Sequence, residues 1–547
     1  NITAIGYGTL AANTTAANNT GVGYNALGSN TTGDANVAIG SSALYSNVLS
    51  DRNVAVGHNS LYTFNPDGNV DAYNTALGYG AAFSLASGGN YNTMLGGLAG
   101  QTATTASHNV FVGLLAGQSL TTGSYNNYIG NYSANTASTG NFNHAMGYQA
   151  LYNLTTGSNN VGIGYHTGYY AHGSSHNVYI GHEAGNGDTD SGSPSAYKNV
   201  YIGYRTARNQ RTTEDNVAIG GDTAFLLQTG DQNVAIGGLA MYSNQSGHRN
   251  IAIGYSALYN FTGSDNVAIG KSALQNTTAS DNTAIGSNAG ASITTGTGNT
   301  AIGSIALDAI TTTSNNTAVG HQSLTNATGG AGNTALGKAT MTAVVTGSNN
   351  VAVGYTALSA NTSASNNTAV GYNALVVNST GASNTALGGE SLKSNTTASF
   401  NTGIGRFALY LNTTGTRNTA VGYESGKAIT TGAYNTFIGD RAGTSTTTAL
   451  NNTAVGSGAY IVATTGADNV AIGQSAMVQT TTGARNVAVG YQAANDLTTG
   501  SNNTVVGRFA LRSNETSGSN TVVGQSAGYS CTGGSNLFLG TSSGYHM

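Results

Sequence analysis

The chain has 547 residues, with 80 glycines, 31 tyrosines, two prolines, one cysteine and no tryptophan; 39% is apolar and only 7% charged, which is not the makeup of an ordinary string of globular domains. A formal net charge of −4 with thinly spread cations leaves no basic stripe for phosphates and excludes nucleic-acid binding, and it does not fit a charge-rich disordered chain. No run of 18 apolar residues exists for a membrane-spanning helix, and the lone Cys531 has no partner for an intrachain disulfide.

Along the chain one motif recurs, Asn-Thr/Val-Ala-Ile/Val-Gly. Its anchor glycines begin at Gly6, Gly23, Gly40 and Gly57 and end at Gly507, Gly524 and Gly540, giving 32 units, nearly all 17 residues apart. The spacing widens to 21 between Gly57 and Gly78, 18 from Gly78 to Gly96 and 22 between Gly181 and Gly203, and narrows to 16 at Gly254–Gly270–Gly286 and Gly524–Gly540. Pro66 and Pro194 fall in the two long insertions, near 62–73 and 186–198, so every regular turn keeps its N–H groups for strand pairing. The motif alternates with period two, as a strand does and a helix does not. The expected fold is all-β: a parallel β-solenoid of about 32 turns of 17 residues, one continuous domain over residues 1–547. At ~4.8 Å per turn it would reach roughly 150 Å.

The columns of this stack indicate which positions lie inside. The residue before each anchor is Ile, Val, Leu or Met in all 32 units, for example Ile39, Val56, Leu77, Met146 and Ile472, and is read as a continuous core ladder. The residue two before it is Ala in 20 units but Phe111, Tyr128, Tyr179, Tyr201 and Phe437 in others. That spread of volumes does not suit a tightly closed interior, so the column is expected to face a second surface. Three after the anchor stands Ala, Ser or Thr, then commonly Leu, as in Ala26-Leu27, Ala257-Leu258 and Ala374-Leu375, a bend closing the core. Loops such as Asn30 to Gly33 and Asn412 to Gly415 carry Asn and Gly, suited to positive φ and Asx hydrogen bonds. An Asn four before the anchor, from Asn19 to Asn536, occurs in every unit but the first; its amides are expected to bond from turn to turn in a structural role.

Catalytic, cofactor and metal sites are not expected. Gly524-Gln525-Ser526-Ala527-Gly528 matches a nucleophile elbow in spelling, without the strand-to-helix turn or the partnered His and acid that it needs. Gly270-Lys271-Ser272 resembles the end of a phosphate loop, but Asp265 replaces the first glycine. His166, His172, His176 and His182 fall within about one turn and are read as surface residues rather than metal ligands. The acidic residues change columns, which argues against a periodic calcium array, and the Thr-Thr pairs sit in loops, which argues against an ice-binding strand. The column after the anchor mixes polar residues with Tyr7, Tyr24, Tyr79, Tyr148, Tyr165, Tyr204, Tyr255, Tyr355, Tyr372, Tyr423 and Tyr491. It is read as the surface-contact column, either adhesive for glycan or protein or packed flat on neighbouring turns.

The units Asn36-Val37-Ala38-Ile39-Gly40-Ser41-Ser42-Ala43 and Asn469-Val470-Ala471-Ile472-Gly473-Gln474-Ser475-Ala476 resemble the head repeats of trimeric autotransporter adhesins and the similar repeats of phage tail-fibre proteins with a C-terminal intramolecular chaperone. The resemblance covers essentially the whole chain. It implies a left-handed parallel β-roll, a side-by-side homotrimer, an extracellular place on a cell surface or virion, and a non-enzymatic fibre shaft or head that binds a host cell-surface glycan or protein. The strand face that carries Ala or Gly, with occasional Tyr or Phe, is expected to be where the rolls pack. The chain opens at Asn1 without a leader and both ends cut into the repeat without a polar cap, so missing flanking domains are expected, or else end-to-end stacking as the subunit of a self-assembling extracellular filament.

Overall fold

The computed structural model describes residues 1–187 and 195–546, and among these it is all-β, without helices. Pro194 and part of the second insertion lie outside the described residues. The chain divides into two units, Asn1–Ser280 and Asp281–Met547. The first carries sixteen three-residue strands, β1 (Thr3–Ile5) to β16 (Val267–Ile269); the second carries sixteen more, β17 (Thr283–Ile285) to β32 (Leu537–Leu539). Within each unit every strand pairs in parallel with the equivalent strand of the next turn. In β3 (Val37–Ile39) and β4 (Val54–Val56), Val37 faces Val54, Ala38 faces Ala55 and Ile39 faces Val56. The 17-residue parallel β-solenoid expected from the repeat is therefore the fold.

The long insertion after β4 does not disturb this register, because Val54 still pairs with Thr75 of β5 (Thr75–Leu77). The extra residues are looped out while Phe64 stays fully buried, and the isolated bridge Asp51–Asp71 resumes the stack. The shortened turn at Gly254–Gly270 keeps Ile251 opposite Val267, with Phe261 filling the corner.

The strand is inverted relative to the sequence reading. Ala38, Ala55, Ala218 and Ala471, two before their anchors, point into the coil and are essentially inaccessible, as are Phe111, Tyr128, Tyr179, Tyr201 and Phe437 in the same column. The residue before the anchor faces outward: Ile39 is 41% exposed, Leu77 44% and Met146 49%. Neither the core ladder assigned to the aliphatic column nor the second surface assigned to the alanine column holds. The interior tolerates Ala and Tyr in one column because other columns compensate. Leu27, Leu44 and Leu258 fill it from the bend; where the strand brings Phe111, Tyr128 or Tyr179 inward, the bend carries Gly117, Gly168 or Gly185, at which an added Cβ would strike those rings. Contact between coils through the alanine face is accordingly excluded.

Each turn closes through backbone that few sequences adopt. Besides the anchor, three positions per turn have positive φ, illustrated by Ser42 (54°), Leu44 (51°) and Arg52 (60°). A left-handed Leu costs roughly 1–2 kcal/mol, while its full burial returns roughly 2 kcal/mol and its N–H finds a carbonyl on the next turn, as Leu44 N donates to the Ser60 carbonyl at 2.9 Å. The glycine that ends the loop does not use positive φ, contrary to the turn reading. Gly415 is required for space, because a Cβ there would stand 2.1 Å from the Gly432 carbonyl oxygen. The expected Asx bond is present, with Asn412 Nδ2 donating to the Gly415 carbonyl at 3.0 Å.

The asparagine column is a buried amide ladder. Asn418 N donates to Asn401 Oδ1 at 2.9 Å, and Asn418 Nδ2 donates both to Asn401 Oδ1 at 3.3 Å and to the Gly432 carbonyl at 2.8 Å, joining the start of its own turn to its end. Equivalent bonds run from Asn19 to Asn266 in the first unit, crossing the 22-residue spacing through Asn177 and Asn199, and from Asn282 to Asn536 in the second.

Two consequences are measurable. Gly388 has φ +131° and a Cβ there would lie 2.7 Å from the Gly405 carbonyl carbon and oxygen, whereas Gly389 has nothing within 4 Å. Gly388→Ala is expected to cost about 2 kcal/mol, speeding amide exchange in β23 (Thr385–Leu387) by roughly thirtyfold, with Gly389→Ala within about 0.5 kcal/mol of the unsubstituted protein. Burial holds the Tyr128, Tyr179, Tyr201 and Tyr460 hydroxyls well above the ordinary phenol pKa. Because only the unfolded chain ionises them readily, stability is full below about pH 10 and falls as pH rises past it. Alkaline titration followed by circular dichroism is expected to show loss of structure above that pH, with these four phenols ionising only as it occurs.

Candidate functional site: the outer strand face and the aromatic columns

Inverting the strand places its β-branched side chains on the surface. The outward column before the anchor is Ile, Val, Leu or Met throughout, and the other is Thr or an aliphatic residue apart from Asn127 and His144, with no Asp, Glu, Lys or Arg in either. Ile253, Ile285, Leu336, Leu387, Ile438 and Ile472 are all among the exposed large apolar residues. Each unit thus presents an uncharged parallel sheet face that repeats with the turns.

Beside this face runs the column after the anchor. All eleven tyrosines assigned to it, from Tyr7 to Tyr491, are exposed. Where they occupy consecutive turns they also pack flat: Tyr7 on Tyr24 with ring centroids 5.7 Å apart, Tyr148 on Tyr165 at 5.7 Å and Tyr355 on Tyr372 at 6.0 Å. Exposure and stacking, set against each other in the sequence reading, therefore coexist.

Two further aromatic columns escaped the sequence reading. Just before the ladder asparagine, Tyr73, Tyr91, His108, Tyr125 and Phe142 stack on successive turns with centroids 4.7 to 5.9 Å apart. Five after the anchor, Tyr45, Tyr62 and Phe83 stack, then Tyr152 and Tyr169 at 5.0 Å, then Phe225, Tyr242 and Tyr259 at 5.2 Å per step. The signal was present as a fixed offset from the glycine, though diluted by polar residues in intervening turns.

The last column is interrupted where Asn186 and Arg208 replace rings, and a cleft of about 430 Å³ opens there, lined by His166, Tyr169, Tyr170, Glu183, Asn186, Gly187, Arg208 and Asn209. Arg208 Nε donates to Glu183 Oε2 at 2.7 Å and its guanidinium lies 6.0 Å from the Phe225 ring centroid. His166 stacks on Tyr165 at 3.9 Å, and its shielded Nε2 has no hydrogen-bond partner among the described residues. Burial lowers the imidazole pKa, opposed by the Glu183 charge.

The four histidines considered for a metal do not converge. His182 packs on Tyr165, His176 meets Tyr197 edge-on, and His172 lies 6.4 Å from the Tyr170 ring. Among the described residues no three His, Cys, Asp or Glu side chains are grouped as a metal would require. Ser526 of the elbow-like motif occupies the left-handed second position of an ordinary turn, with no helix after it. Compared with models of known protein families and with curated proteins, the chain matches none.

Proposed function

We propose that this chain is a non-enzymatic structural element of an extracellular fibre, a shaft or head whose copies associate side by side as a homotrimer through the outward strand face, leaving the aromatic columns free to contact a cell-surface receptor. The observation that carries the reading is the exposed aliphatic ladder before the anchor, since soluble monomers rarely leave apolar side chains in a repeating row to water. The occupant that suits it best is another copy of the chain. A partner must be uncharged and must repeat with the turn spacing, and an identical coil in the same register satisfies both requirements by symmetry. Burying such ladders against one another returns roughly 25 cal/mol for each Å² of apolar surface, and dozens of repeats multiply a small gain per turn. The same columns support a second arrangement, a longer filament, should contacts between copies not close into a ring.

Light scattering on the purified chain is expected to give three times the 54.7 kDa chain mass. Leu387→Lys with Ile472→Lys, which place charges on the outward face and leave the interior unchanged, are expected to reduce it to the monomer. A monomeric mass for the unsubstituted protein, or a trimer untouched by the lysines, would sink the proposed interface. A mass that climbs without limit with concentration would favour the filament.

A further inference from the structure

We infer that the cleft between Tyr169 and Arg208 binds a single neutral pyranose ring of a glycan, seated as the missing rung of the aromatic column. This rests on the adhesive part of the proposed function and supplies it with a ligand and a place. Tyr152 covers one face of Tyr169 at 5.0 Å and an interplanar angle of 4°; on the other side the next turn offers only Asn186, too short to cover a ring. Tyr170 meets Tyr169 edge-on at 75°, and the His166 ring, 4.9 Å away and tilted by 35°, does not lie flat on it, so these two rings bound the slot as walls. Beyond the gap the Arg208 guanidinium sits against Phe225, where the stack of rings resumes. The column therefore leaves a flat slot one turn deep between an aromatic face and a guanidinium.

The walls specify what fills it. A pyranose offers a face of C–H groups that packs against a tyrosine ring and a rim of hydroxyls that each donate and accept. Glu183 supplies carboxylate acceptors, Arg208 supplies donors, and Asn186 and Asn209 supply amides. An aromatic side chain from a protein partner would satisfy Tyr169 but leave these groups without hydrogen bonds once water was displaced. An acidic sugar is disfavoured because the Arg208 charge is already neutralised by Glu183 at 2.7 Å.

The test is saturation-transfer NMR on the full chain with the methyl glycosides of glucose, galactose, mannose and N-acetylglucosamine, together with a methyl sialoside and a tyrosine-containing peptide. At least one neutral glycoside is expected to bind with Kd of about 1 mM, weakening roughly tenfold or more in Tyr169→Ala and also in Asn186→Tyr, which rebuilds the rung instead of removing contacts. Asn186→Tyr is expected to raise or preserve thermal stability, so its loss of binding does not reflect unfolding. Absence of transfer from every neutral glycoside, binding that survives Asn186→Tyr, or binding confined to the sialoside or the peptide overturns the inference. Light scattering on the same samples separates the two claims: a trimeric mass without sugar binding removes the cleft alone, and a monomeric mass with sugar binding removes the trimer alone.

Discussion

Within each unit, from Asn19 to Asn266 and from Asn282 to Asn536, successive turns are held together by one amide per turn. Asparagine can do this because its side chain both donates and accepts. Its Oδ1 receives the backbone N–H of the next turn, and its Nδ2 reaches back to the previous Oδ1 and across to the carbonyl that ends its own turn. Registry along the axis and closure of the loop around it are thus set at one position. An apolar residue there would orphan buried donors and acceptors on two turns, at roughly 1–3 kcal/mol for each. The anchor glycine four residues later completes the constraint, because turns spaced for the amide ladder bring one glycine carbonyl within 2.3 to 2.9 Å of where the preceding Cβ would be. Fixed ends of this kind let the remaining positions vary in size, and the interior accordingly exchanges Ala38 for Tyr128 or Leu44 for Tyr460 without losing register.

That fixed frame explains which features were legible in the sequence. The glycine and asparagine recur at constant separation because the stacking geometry admits no substitute, so the repeat, its parallel pairing and the structural role of Asn19 through Asn536 could be read directly. The direction of the strand could not. Period-two alternation assigns two faces but does not say which is inside, and the usual guide, that aliphatic residues are buried and alanine is indifferent, points the wrong way when the aliphatic face is the outer one. The left-handed positions were also hidden. Ser42, Leu44 and Arg52 have no common chemistry, since the carbonyls of adjacent turns, rather than the side chains, hold them in that conformation.

The outer surface follows from the same economy of space. With a narrow interior already filled by alanine, leucine and the amide ladder, the β-branched residues that favour strands stand outside, and rings at any fixed offset stack with their equivalents one turn away. Stacked rings present mainly edges to solvent. At one of the breaks in this stack, between Tyr169 and Phe225, a ring lines a cleft that also holds the Glu183–Arg208 pair. Missing this cleft in the sequence was unavoidable, since Tyr169, Glu183 and Arg208 acquire meaning only when three successive turns are superposed.

The most direct measurement is a high-resolution cryo-electron microscopy map of the assembled particle, read at the strand side chains of a regular stretch such as β28 (Val470–Ile472). Ala471 is expected to point into its own coil while Val470 and Ile472 meet the same residues of neighbouring copies. A map in which Val470 and Ile472 face bulk water and the copies meet elsewhere would contradict the assignment of the strand face as the interface.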